Sequence, residues 1–136
     1  MAIVDHTDLR VYKQARALAK RIYFLVNTFP KEERYRLGDQ AIRSSRSVVA
    51  AIPEAWRWRK YRFQFLSKLT EAEAETAETR AWLDVALDCG FIDEKVHLVF
   101  DTDYRSLIAQ LVQFGRTAQN WTQFHPRDQI DGNEWK

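Results

Sequence analysis

The sequence predicts an all-α protein, an antiparallel up-down-up-down four-helix bundle. Three observations carry this. Apolar residues recur at spacings of three and four along nearly the whole chain, which is the period of an amphipathic helix. Only four Gly and three Pro occur in 136 residues, and they fall between the periodic stretches more often than inside them. No stretch alternates apolar and polar residues as a half-buried strand does, and four helices with short connections fold most simply up and down.

The first helix is expected over residues 8–29, capped by Thr7 or Asp8 and ended by Pro30. Its inner stripe is Leu9, Tyr12, Ala15, Ala19, Ile22, Val26 and Phe29, with Lys13, Arg16 and Lys20 outside. The second, residues 33–57, turns Leu37, Ala41 or Ile42, Ser45, Val48, Val49, Ile52 and Trp56 inward. Pro53 removes a donor and crowds the Val49 carbonyl, which predicts a kink or an early end. The third, residues 61–89, runs without Pro or Gly to Gly90, placed where a left-handed terminal residue is wanted. Its stripe is Phe65 or Leu66, Leu69, Ala72, Thr76, Thr79, Leu83, Ala86 and Leu87, small enough in the middle for close helix approach. The fourth, residues 93–124, is capped by Asp93 and stopped by Pro126; Val96, Phe100, Tyr104, Leu107, Leu111, Phe114, Ala118 and Trp121 form its stripe. Gly115 inside it marks close packing. Residues 1–125 therefore read as one bundle domain and residues 126–136 as a polar, flexible tail.

Charge is divided along the chain. Residues 1–70 carry 15 Lys/Arg against 6 Asp/Glu, a balance of +9, and residues 71–136 carry 6 against 13, a balance of −7. Such a split marks either an anion-binding face or two halves that neutralise one another within or between subunits. The single cysteine, Cys89, excludes an intrachain disulfide and reads as a buried thiol at a helix end. No stretch approaches the roughly 18 apolar residues of a membrane span, and no signal-like run opens the chain. A cytoplasmic location is expected.

Four sequence features match a known family: DLRVYKQA in the first helix, FPKEERYRLGDQ across the first turn, SRSVVAAIPEAWR in the second helix, and FLSKLTEAEAETAETRAWLDVALDCGFI in the third. On these the chain resembles the bacterial four-helix-bundle proteins linked to 23S rRNA intervening sequences, over residues 8–120. The resemblance implies a left-handed bundle assembled into a homopentamer. A distant branch serves diversity-generating retroelements as an accessory that binds reverse transcriptase and nucleic acid. The family's usual Asn-Ile-Ala-Glu run reads Ala51-Ile52-Pro53-Glu54 here, and the Gly that follows it is Ala55, so the Asn amide is missing and Pro replaces a good helix former while Glu54 is retained.

Chemistry-bearing residues are few. The stretch EAWRWRKYRFQF interleaves cations with aromatics, and no acidic residue stands between Glu54 and Glu71. Cations contact phosphates and aromatic rings stack on bases, so the pattern suits RNA. The expectation is that Trp56, Tyr61 and Phe65 pack inward while Arg57, Arg59, Lys60 and Arg62 emerge at a turn, with Arg43, Arg46, Lys13 and Lys20 extending the basic area. A merely solvated turn is the competing explanation. Trp56 and Trp58 are candidate core or interface residues, and the aromatic excess at this end favours self-association.

Glu71, Glu75 and Glu78 share one face of the third helix, where Glu54 can meet them. Pairing with Arg43, Arg46 or Arg80 at helix or subunit contacts accounts for them. A di-metal bundle centre needs two Glu-x-x-His motifs. One exists, Glu94 to His97, while His6 and His125 lie near the chain ends, so no metal or other cofactor is expected. No nucleophile elbow or phosphate-cradling Gly loop occurs. A non-enzymatic oligomer offering a basic surface to RNA or a nucleic-acid-processing partner is thus expected, with no membrane or small-molecule partner. A protein-only assembly scaffold is the alternative, and a di-metal enzyme the remote one.

Overall fold

The structure, a computed structural model, describes residues 3–117. Among these, four long helices and two short 3-10 turns account for the regular structure, and no strand occurs. Helix α1 spans Arg10–Val26, α2 Leu37–Arg57, α3 Arg62–Asp88 and α4 Glu94–Arg116. The 3-10 turns are His6–Asp8, ahead of α1, and Glu33–Tyr35, ahead of α2. The expected end of the fourth helix, its Ala118 and Trp121, the stop at Pro126 and the tail 126–136 lie outside the described residues.

Each helix packs on the next, α1 also meets α4, and the α2–α3 seam is the most extensive. One apolar core joins all four, with Ile22, Ile52, Phe65, Leu107 and Leu111 fully enclosed. Burying a side chain of this size stabilises a fold by about 1.5–3 kcal/mol.

The α3 stripe is the one the sequence predicts, Phe65 through Ala86. On α1 the buried face is instead Val11, Ala15, Leu18, Ile22 and Val26, with Tyr12 and Ala19 only partly covered. Both stripes satisfy a helical period; contact with α2 and α4 selects the one with more aliphatic bulk.

Three other expectations need correction. Neither Thr7 nor Asp8 caps α1: the Asp8 carboxylate accepts the Val4 and Asp5 amides, each at 3.1 Å, and closes the preceding 3-10 turn. Of the two effects expected of Pro53, the early end does not occur: α2 continues to Arg57, the end expected for this helix. Ile52, Ala55 and Trp56 around it are all buried, and their burial outweighs the roughly 3 kcal/mol cost of an interior proline. Cys89 is exposed rather than buried, because it follows the last turn of α3 and faces outward.

Small residues set the seams. Ser44 and Thr79 share a buried hydrogen bond of 2.7 Å across α2 and α3. The Thr76 hydroxyl is satisfied within its own helix, donating to the Ala72 carbonyl at 2.7 Å. A Cβ on Gly38 would lie 2.5 Å from Val26 Cγ1, so glycine there permits the close approach of α1 and α2. A Cβ on Gly115 would meet Leu66 and Leu69 at 3.4 Å, in line with close α3–α4 packing.

Candidate nucleic-acid interface

Helix α2 ends with the Trp58 amide donating to the Glu54 and Ala55 carbonyls at 3.2 and 3.1 Å. The Tyr61 amide donates to the Trp58 carbonyl at 2.8 Å, which closes the turn, and the Phe65 amide then opens α3 by donating to Tyr61. Trp56 on one side and Phe65 on the other are sunk in the core, both against Phe114. These anchors hold the turn at one end of the bundle.

Arg57, Lys60 and Arg62 are exposed around that turn, as the sequence predicts. Among the described residues no carboxylate pairs with Arg57 or Lys60. Arg59 departs from the expected rim. Its guanidinium lies 4.2 Å from the Trp56 ring centre and donates to the Trp56 carbonyl at 2.9 Å, so it closes the turn from inside. Tyr61 departs in the other direction. It is 40% exposed, not packed inward, and touches Trp58, itself 42% exposed. Trp56 and Phe65 already fill the space beneath, and Tyr61 precedes the first turn of α3, off the inner stripe.

Two further contributions were not visible as motifs. Among the described residues, no acidic residue stands in the first turn of α3 and no side chain caps it, so the helix itself supplies nothing against its positive end. Arg116, at the end of α4, shares a hollow between α3 and α4 with Arg62 and with the carboxylate of Glu73. Only the packing of α4 on α3 brings Arg116 there.

The remaining candidate cations sit on helix faces rather than at the turn. Arg43 is engaged by Glu78 at 2.7 Å, and the Arg46 guanidinium lies 5.9 Å from the Tyr23 ring. Lys13 and Lys20 are exposed on α1.

Of the arginine pairings expected for the α3 carboxylates, Glu78 with Arg43 forms, whereas Arg46 lies by Tyr23 and Arg80 pairs with Asp101. Lys68 reaches Glu54 at 3.1 Å and Glu71 at 3.3 Å, and these two, Glu54 first, raise its ammonium above the ordinary lysine range. Glu54, Glu71 and Glu75 line a groove between α2 and α3 floored by alanines, where one Glu75 oxygen is buried without a partner. Elsewhere, Arg21 pairs with Asp103 at 2.6 Å and Arg80 with Asp101 at 2.8 Å. The Arg80 hydrogen bond holds the Asp101 carboxyl below its ordinary pKa against the effect of burial. His97 Nε2 stands 2.7 Å from Asp84 Oδ1, and with Asp101 these offer three donor atoms within 4.8 Å of one another. This is the set able to hold a divalent ion among the described residues. It is not the Glu-x-x-His pair, since Glu94 takes no part, and Asp101 is already committed to Arg80.

The model of the family described as 23S rRNA-intervening sequence protein matches residues 7–113. The chain belongs to that family. A solved structure from Bacteroides thetaiotaomicron, a protein with unknown function from the S23 ribosomal protein family, superposes with a TM-score of 0.71 at 25% identity. The match covers 78% of this chain and 95% of the other. No curated protein matches. This 23S rRNA-intervening sequence family member therefore carries a fold shared with a relative to which no reaction is assigned. Among its described residues, no helix is long and apolar enough to cross a membrane.

Proposed function

We propose that this protein is a non-enzymatic RNA-binding oligomer whose α2–α3 turn grips phosphates. The observation that carries the reading is the group of exposed cations, Arg57, Lys60 and Arg62, around an α3 N-terminus with no acidic residue in its first turn. Cationic side chains and a helix N-terminus attract the same anion. Arg116 widens the rim, and Arg59 holds it in shape. The partner is RNA or a ribonucleoprotein, and the family's link to 23S rRNA intervening sequences supports it. A reverse-transcriptase accessory role is the more distant form of the same reading. No cofactor or small-molecule substrate enters this reading, and the protein works in the cytoplasm.

The bundle is antiparallel, up-down-up-down and left-handed, in a domain spanning residues 1–125. Support comes from the order of the cross-helix pairs: Arg43 early in α2 meets Glu78 late in α3, while Glu54 late in α2 meets Lys68 early in α3. Five copies form a ring, in which one face of each subunit meets a different face of the next. Exposed Phe24 on α1 and exposed Leu98 and Val99 on α4 offer apolar surface for such a contact, and the opposed charge of the two chain halves gives it polarity. Repetition around a ring multiplies a weak single site, because each later contact is intramolecular.

Filter binding to RNA at several salt concentrations tests the reading. Each phosphate neutralised contributes about 0.7 to the slope of log affinity against log salt on a single strand and about 0.9 on a duplex. Replacing Arg57, Lys60 and Arg62 by Gln is expected to weaken binding to all sequences and to flatten that slope, with oligomer size unchanged. An unaltered slope makes the strip a solvated turn. A variant that falls apart makes it a subunit contact, and the protein-only scaffold then takes over.

A further inference from the structure

We infer that Asp84, His97 and Asp101 form a binding site for a zinc-class divalent cation that ties α3 to α4 beside the turn joining them. The site is independent of the RNA reading.

Three side chains of metal-ligating type converge there from two helices. His97 and Asp101 are four residues apart on α4 and so share one face of it. Asp84 meets them from the last two turns of α3. Each offers one donor atom, and the three atoms lie within 4.8 Å of one another. Donors about 2.0–2.2 Å from a common zinc stand no more than about 4.4 Å apart, so a small side-chain rotation closes the set. Asp84 has room for it, since its side chain is 63% exposed, while those of His97 and Asp101 are 20% and 17% exposed. The exposed side also gives an ion its way in.

The Asp84–His97 contact by itself is a helix-to-helix hydrogen bond, and Asp101 supplies the third donor. Arg80 Nε donates to Asp101 Oδ1 at 2.8 Å, while its second contact, to Oδ2, is a long 3.5 Å. A carboxylate has about four lone-pair positions, so this bond fixes Asp101 and leaves it capacity for an ion. Carboxylates that hold metals are commonly fixed in this way from outside. The turn between the helices is closed by the Gly90 and Phe91 amides, at 3.0 and 2.9 Å from the Leu87 and Ala86 carbonyls. The two helices are thus in register before an ion arrives, and little ordering accompanies binding.

Charge and donor type decide which ion. Two carboxylates stand beside the paired Arg80, and Arg105 acts on Asp101 from further off, so the group carries little net negative charge. Calcium and magnesium bind through several charged or carbonyl oxygens, which this set lacks. An imidazole nitrogen suits zinc and its transition-metal neighbours. Three protein donors leave a position for water. The ion takes the Nε2 lone pair of neutral His97, whose ring then keeps its proton on Nδ1, and any proton on Nε2 leaves to solvent.

The test titrates zinc chloride into the chelator-treated intact chain by calorimetry. One zinc per chain is expected, undisplaced by an approximately hundredfold excess of magnesium. Asp84→Asn and His97→Ala should each weaken zinc binding at least about tenfold, a loss that an outer partner alone can cause. His6→Ala should leave it unchanged. If His97→Ala loses helicity, Asp84→Asn carries the test, because its side chain is largely exposed. Cobalt in place of zinc should give visible absorption without a sulfur charge-transfer band. A sulfur band moves the ion to Cys89, and loss of binding in His6→Ala moves it to the start of the chain; either overturns the site. So do an absence of zinc uptake, displacement by magnesium, or wild-type affinity in Asp84→Asn.

Discussion

The turns at the two ends of α3 are built on opposite principles. At its C-terminus every element closes on the protein. Gly90 takes φ of 75°, and its amide donates to the Leu87 carbonyl at 3.0 Å. The Phe91 amide donates to the Ala86 carbonyl at 2.9 Å, the paired bonds of a Schellman motif. Phe91 meets Phe29 at 5.7 Å, Ile92 is buried, and Asp93 accepts the Val96 amide at 2.8 Å to start α4. At its N-terminus there is, among the described residues, no glycine, no side-chain cap and no first-turn acid, while Trp58, Tyr61 and the cations Arg57, Lys60 and Arg62 are partly or largely exposed. The two turns are of similar length, so length alone does not set how far each is closed.

The largest effect separates the two tryptophans of the open turn. Trp56→Ala removes a core ring and is expected to cost about 3–5 kcal/mol in urea unfolding, whereas Trp58→Ala should stay within about 0.5 kcal/mol. Equal losses would erase the distinction between the buried ring and the exposed one.

Next come the closing devices of the other end. Gly90→Ala forces a Cβ into a left-handed conformation and should cost about 1–2 kcal/mol. Asp93→Ala removes a cap worth about 1 kcal/mol. Neither should change RNA affinity. Conversely, the Arg57→Gln, Lys60→Gln, Arg62→Gln variant should keep its unfolding midpoint within about 0.5 kcal/mol while RNA binding falls. A large stability loss there would make the open turn a structural one after all.

Arg59 sits between these cases. Arg59→Gln gives up a cation–π contact and a hydrogen bond, and should cost about 0.5–1 kcal/mol. Its RNA salt slope should change less than that of Arg57→Gln, measured in the same titration.

The smallest effect is far from either turn. The carboxyl of Asp101 titrates below its ordinary value of 3.8, because Arg80 favours its charged form. A depressed folded pKa contributes stability above the unfolded value and loses it as pH falls through the folded one. Unfolding free energy should therefore decline from about pH 4 downward, and the Asp101→Asn variant should show less of that decline.

Much of the scaffold was legible in residue spacing. The α3 stripe, the Gly90 stop and the Asp93 cap follow from local rules that need no partner helix. The interface was half legible. The cations could be read as a group because the chain carries no acid among them. The sequence could not show that Arg59 turns back onto Trp56, or that Tyr61 turns outward, because alternating residues at a helix junction can face either way until something occupies the inside. Arg116 joins the rim from a position 54 residues past Arg62, which no local pattern contains. The Asp84–His97–Asp101 group and the Arg21–Asp103 pair were likewise unreadable, since each needs two helices in register.

By itself the sequence determined four helices, where three of them turn, and a charge gradient along the chain. Periodicity, proline, glycine and caps act within a few residues, and so does the physics that reads them. Tertiary structure decided which of two possible stripes α1 buries, that α2 runs through Pro53, and which residues of EAWRWRKYRFQF face the core. Those outcomes depend on the free energy of burying side chains against neighbouring helices, a term of several kcal/mol that overrides local preference and exists only once the helices have met.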